Sequence, residues 1–180
     1  MGGRGGSSGI RGSGYTDSEV QSIRAYTNTF YETINNWLRL DRDWQSNSSL
    51  ASHINNIDSA IRKSSINEET TVYRGVSLES LGVKDVSELD GKVITEKGFM
   101  STSTSERTAR SFVNKLRYQE DTPGVVVRMN IPKSRGLAMN VGNMSAQGGY
   151  ENEILVSRGN AVGYSYKNGV LTGTIIRSKR

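Results

Sequence analysis

The chain predicts an α+β fold in which N-terminal helices pack on a strand-rich two-sheet core. Three observations carry that expectation. Apolar residues recur at helical spacing as far as Ile61, and after Asn67 the chain breaks into short β-prone runs. A tight Asn-Gly turn then joins the last two of those runs. Helices followed by strands, rather than alternating with them, argue for an α+β arrangement, and 180 residues suit one domain with a core of its own.

The elements follow in order. Met1 to Gly14 contains seven glycines with serine and arginine between them. Such a segment buries too little apolar surface to offset its ordering entropy, so residues 1–15 read as a disordered leader or linker and residues 16–180 as a single domain. Thr16 and Glu19 spell a capping box. Val20, Ile23, Thr27, Phe30, Ile34 and Trp37 follow at steps of three and four, which predicts a helix to about Leu40. Leu50, Ile54, Ile57 and Ile61 predict a second helix, with His53 off its apolar stripe and on the surface.

Thr70 to Arg74, Lys92 to Ile94, Gly124 to Ile131, Glu153 to Val156 and Ala161 to Tyr166 are β-prone. Lys167-Asn168-Gly169 turns the chain from Val162–Tyr166 into Val170–Ile176. A helix from about Ser103 to Leu116 interrupts these strands, opened by a capping box of Ser103 and Glu106, with Ala109, Phe112, Val113 and Leu116 as its face.

Composition removes whole classes of chemistry. The chain has no cysteine, which excludes disulfides, thiolate catalysis and cysteine-ligated zinc. Its single histidine, His53, disfavours a histidine triad and excludes a multi-histidine metal site. No apolar run approaches the roughly 18 residues of a membrane span. The first fourteen residues lack the apolar block of a Sec signal peptide. A net charge of +5 would suit acidic partners, but the basic residues are scattered apart from Arg177, Lys179 and Arg180, so nucleic acid is the weaker reading. Catalysis must come from carboxylates, hydroxyls and cations.

Three short signatures supply such groups. In Tyr73-Arg74-Gly75, an arginine at the end of a β-prone run can present its planar fork to a diphosphate, and the glycine allows close approach to the backbone. In Gly98-Phe99-Met100-Ser101-Thr102-Ser103, Ser101 and Ser103 share a strand face ahead of a helix start. In Tyr150-Glu151-Asn152-Glu153, two carboxylates fall on one face of an extended chain, an unfavourable pairing unless it is used. The stretch Asn140 to Tyr150 before it is rich in glycine and asparagine and reads as a mobile substrate loop. Each signature has an ordinary alternative: a surface ion pair, a strand-to-helix junction and a solvent-facing strand edge.

In this order the signatures resemble the mono-ADP-ribosyltransferases of the arginine–serine–glutamate clade, which includes C2-like and C3-like bacterial toxins and vertebrate ecto-transferases. The resemblance covers roughly residues 70–176 and implies the fold of that family. It implies NAD as co-substrate and no metal. Arg74 would grip the NAD phosphates or the nicotinamide ribose side, and Gly75 would offer backbone contacts to the nicotinamide amide. Ser101, with Thr102 beside it in the motif, would hold the catalytic glutamate, which Glu153 resembles. Phe112 matches an aromatic that packs near the nicotinamide. Lys115 stands where many relatives have a phosphate-binding arginine, keeping the charge and losing the bidentate fork.

In that family a glutamate two residues before the catalytic one accompanies arginine as acceptor, and Glu151 stands there, with Tyr150 to pack against the target or anchor the loop. The implied protein is an arginine-specific mono-ADP-ribosyltransferase toxin or effector of a bacterium or phage, a virulence factor, monomeric by default. It would be secreted or injected without a Sec signal and act on a target protein in the target cell's cytoplasm. A cognate immunity protein would be needed wherever the producer shares that target. An NAD glycohydrolase, a nucleic-acid ADP-ribosyltransferase of the same fold and a non-enzymatic RNA-binding module stand as alternatives.

Overall fold

A computed structural model describes residues 14–146 and 152–179. The N-terminal helix is built as α1 (Asp17–Ala25) and α2 (Tyr31–Arg39), joined by a π-helical turn over Tyr26–Phe30. The capping box forms as its residues predict: Thr16 Oγ1 accepts from the Glu19 N–H at 3.1 Å and Glu19 Oε2 accepts from the Thr16 N–H at 2.9 Å. The π turn widens the helix by one residue and so shifts the buried face. Ser22 and Ile23 are buried before it, Tyr26 at its first residue and Ile34, Asn35 and Leu38 after it, while Thr27, Phe30 and Trp37 of the expected stripe are only half-buried.

Helix α3 (Ser48–Lys63) is capped by the Asn47 side chain, which accepts from the Leu50 N–H at 3.0 Å, and it buries Leu50, Ile54, Ile57 and Ile61 as their spacing predicts. His53 departs from its expected surface position. It is half-buried between helices, with Nδ1 3.0 Å from Ser22 Oγ and its ring edge-on to Phe30 at 5.2 Å.

The strands are β1 (Ser65–Ile66), β2 (Thr70–Ser77), β3 (Val93–Glu96), β4 (Met100–Ser103), β5 (Gly124–Ile131), β6 (Ser134–Arg135), β7 (Ala138–Asn140), β8 (Glu153–Val156), β9 (Asn160–Lys167) and β10 (Val170–Ile176). β1 and β6 form a small ribbon, and the other eight run in the order β3-β9-β10-β5-β2-β4-β8-β7. β2 and β4 are joined through one residue pair, Tyr73 with Ser103, so the eight strands behave as a five-stranded and a three-stranded half. The β9–β10 hairpin closes through Asn168 and Gly169, both with positive φ, the conformation that favours Asn-Gly in a two-residue turn.

The two halves pack face to face. Val72, Val76, Met129, Val162 and Leu171 from the five-stranded half meet Met100, Ala138, Ile154 and Val156 from the three-stranded half in one buried cluster. Met139 and Leu155, on the other face of the three-stranded half, join Ile23, Ile34, Ile54 and Ile57 of the helices in a second. Helix α4 (Glu106–Gln119) packs on the outer face of β2 and β5.

Helix α4 begins later than expected. Its cap is Ser105, whose hydroxyl accepts from the Thr108 N–H at 3.4 Å, whereas Ser103 ends β4 and its Oγ accepts from the Ser105 N–H at 3.0 Å. That bond tightens the strand-to-helix turn and keeps Ser103 in the sheet. Among the described residues no helix is long and apolar enough to cross a membrane.

Candidate active site

The narrow junction between the sheet halves opens a cleft of about 560 Å³, bounded by the π turn and α2 on one side and by α4 on the other. Its floor is a cross-strand row. Ser103 lies opposite Tyr73 of β2 and opposite Glu153 of β8, and directly paired residues of antiparallel strands share a face. Ser101, two residues back on β4, is on that face too. Glu153 opens β8 after Asn152, whose φ of 45° turns the chain into the strand, and Glu153 is only 6% exposed. Thr102 points the other way, and its hydroxyl donates to the Ile154 carbonyl at 2.6 Å.

A second layer of polar groups holds the β3–β4 connection. The Asn35 side chain accepts from the Phe99 N–H at 3.0 Å and donates to the Phe99 carbonyl at 3.3 Å and to the Tyr26 hydroxyl at 3.0 Å. Burial pushes the Tyr26 hydroxyl up to about 12, against hydrogen bonds to Ser101 and Asn35; the Glu153 charge adds to the rise and the Arg74 charge opposes it. Tyr26 therefore stays protonated and touches the same electrostatic space as Ser101, Arg74 and Glu153.

Arg74 reaches Glu96 at 3.1 Å, and Glu96 also takes a two-bond contact from Arg39. Burial pushes the Glu96 carboxyl up, but the Arg39 hydrogen bond, the charges of Arg74 and Arg39 and the Gly98 N–H outweigh it and hold the carboxyl below its ordinary value. Gly75 has a structural reason of its own. A Cβ there would lie 2.5 Å from the Ala109 carbonyl, so glycine is what lets α4 lie against β2. That close approach brings Phe112, 39% exposed, and Lys115 to the cleft.

Arg74, Gly75, Ser101, Thr102, Phe112, Lys115 and Glu153 thus come together around one cleft, from four elements. Tyr150 and Glu151 lie outside the described residues, as does part of the loop before them. Sequence reasoning missed Tyr26, Asn35 and Arg39 on the cleft wall and Glu96 behind it, and it quoted Tyr73 in a signature without giving it a role. Polar Asn35 on the buried face of a helix was the available signal. Among the described residues no group of three or more histidine, aspartate or glutamate side chains could hold a metal ion.

The profile of the family described as ADP-ribosyltransferase exoenzyme matches residues 6–172. Among solved structures, the chain resembles Plx2a, an ADP-ribosyltransferase toxin from Paenibacillus larvae, at 24% identity and a TM-score of 0.69, covering 92% of this chain and 88% of that one. It resembles the Clostridium limosum C3 exoenzyme at 17% identity and a TM-score of 0.72, covering 93% and 88%. C3stau2 from S. aureus, solved with NAD, matches at 19% identity and a TM-score of 0.70, covering 95% and 91%. No curated protein sequence matches the chain.

Proposed function

The chain belongs to the ADP-ribosyltransferase exoenzyme family, and from that premise we propose that it transfers ADP-ribose from NAD to arginine side chains of a target protein, as a bacterial toxin or effector. The observation that carries this reading is the cross-strand row on the cleft floor, in which Ser103 pairs with Glu153 on one side and with Tyr73 on the other, with Ser101 on the same face and Arg74 also lining the cleft. NAD asks for cations at its diphosphate and a separate carboxylate at its nicotinamide ribose. Arg74, Arg39 and Lys115 supply the first and Glu153 the second, in a volume within the roughly 300–1,000 Å³ of small-molecule sites.

The chemistry needs little else. Nicotinamide is already a cationic leaving group and departs neutral, so no general acid is required. Glu153 stabilises the positive charge that develops on the ribose as the glycosidic bond lengthens, and its burial strengthens that effect. Ser101 and Ser103 orient the carboxylate, Arg74 holds the phosphates and Phe112 packs near the nicotinamide ring.

The acceptor follows from Glu151. A guanidinium is a poor nucleophile because its pKa exceeds about 12, so a carboxylate two residues before Glu153 has a role in orienting it and taking its proton. The ribose–nicotinamide bond breaks, a ribose–Nη bond forms and the arginine proton passes to Glu151. Tyr150, its neighbour in sequence, has the role of packing against the target side chain or anchoring the loop. Residues 16–180 form the catalytic domain, and a producer that shares its target would carry an immunity protein.

Labelled NAD incubated with the protein and a cell lysate tests the reading. The expected outcome is a labelled protein band, sensitive to neutral hydroxylamine, that Glu153→Ala abolishes. Glu151→Gln should keep NAD cleavage and lose the band. NAD consumption without a band in any lysate would replace the transferase with a glycohydrolase, and no consumption at all would sink the enzymatic reading.

A further inference from the structure

We infer that Glu96 is a positioning residue for the phosphate-binding side of the cleft, holding Arg39 and Arg74 as one aligned pair of guanidinium groups. The inference rests on the reading of the cleft as an NAD site. The two arginines come from unrelated elements, Arg39 from the last residue of α2 and Arg74 from the middle of β2, and nothing within either element would align them. Glu96, the last residue of β3, meets both. Its Oε1 accepts from Arg39 Nε at 2.9 Å, and its Oε2 accepts from Arg39 Nη2 at 3.0 Å and from Arg74 Nη2 at 3.1 Å. The two-bond contact fixes the plane of the Arg39 fork, and the shared oxygen ties the second guanidinium to the first.

The carboxylate is itself held. The Gly98 N–H donates to Oε1 at 2.8 Å, in a turn packed so tightly on Asn35 that a Cβ at residue 98 would lie 2.7 Å from Asn35 Oδ1. The side chains of Glu96 and Arg74 are 14% and 11% exposed, so water competes weakly for these bonds. Arg39 is 36% exposed and lines the cleft, with its Nε and Nη2 engaged by Glu96. A lone carboxylate beside a phosphate site would ordinarily weaken anion binding. Here it is placed behind the arginines, where it cancels the repulsion between two cations and leaves their remaining N–H groups for a ligand.

Charge and alignment predict opposite signs when Glu96 is altered, which makes the test decisive. Removing the negative charge would by itself tighten NAD binding, whereas losing the alignment would weaken it. The full chain, Glu96→Gln and Glu96→Asp are compared by NAD calorimetry, by KM and kcat for NAD cleavage and by thermal unfolding. Aspartate keeps the charge but shortens the reach by one methylene. The expected result is a rise of about tenfold or more in Kd and KM in both variants, with kcat changed by less than about twofold. NAD bound by folded Glu96→Gln as tightly as by the native chain, or more tightly, overturns the inference; should that variant not fold, unchanged NAD binding by Glu96→Asp does so. A fall in kcat at constant KM overturns it too. If the native chain binds no NAD, the reading of the cleft fails first and the inference falls with it.

Discussion

Glu153, the carboxylate to which the proposed function assigns the chemistry, has its direction set by the sheet rather than by a loop. Its backbone carbonyl accepts from the Val141 N–H at 3.0 Å, and its pairing with Ser103 fixes which face the carboxylate takes. Glu153→Gln keeps size and packing and removes the charge that, on the proposed mechanism, stabilises the developing cation. We expect kcat for NAD cleavage to fall by roughly 10²–10³-fold with KM within about twofold, read by steady-state kinetics. A change in KM alone would assign Glu153 to binding. Ser101, Ser103 and Glu153 were legible in the sequence because period-two alternation says which residues share a face. Glu96, Asn35 and Tyr26 were not assigned to the site, because the contacts that place them there, Glu96 with Arg74 and Asn35 and Tyr26 with Phe99, span 22 to 73 residues and only the folded chain makes them.

At the scale of elements, α4 and the π turn decide the shape of the cleft. Gly75 is read most economically as the residue that admits α4 to β2, and Gly75→Ala would force its new methyl group against the Ala109 backbone. Overpacking of this kind costs typically 1–3 kcal/mol, so a lowered midpoint in a thermal or urea melt is expected, together with a raised KM as Phe112 and Lys115 move off the cleft. An unchanged melt would show that the helix can retreat freely. The capping box predicts a smaller effect: Thr16→Ala should cost about 1 kcal/mol, seen as a shift in the same melt at unchanged m-value. Both the capping box and the stripe of α3 could be read from sequence, since they depend on residues within a few positions of one another. The π turn could not, because periodicity counts 3.6 residues per turn throughout and one extra residue shifts everything after it.

Across the whole molecule, the helical layer is tied to the sheets by apolar contact in the middle and by ion pairs at the rim. Arg158 of the β8–β9 turn grips Asp58 of α3 at 2.7 Å, and Glu96 joins α2 to β2 and β3. Glu19 joins α1 to α3 through Ser59 at 2.7 Å and Lys63 at 2.8 Å. Burial pushes the Glu19 carboxyl up, yet the bonds from Lys63, Ser59 and the Thr16 N–H hold it below its ordinary value, and Glu96 is held below its own for the reasons given above. A carboxyl whose folded value is depressed contributes stability that is present above its unfolded value, 4.5 for glutamate, and is lost as pH falls through the folded value. The melting temperature should therefore be insensitive to these two groups above pH 4.5 and decline below it. Glu96→Gln lowers stability at neutral pH but has no proton to take up at that position, so its melting temperature should fall less steeply with acid than that of the native chain. Parallel native and variant curves below pH 4.5 would mean that the folded Glu96 carboxyl is not held below its unfolded value, and its ion pairs with Arg39 and Arg74 would then contribute little to holding α2 to the sheet.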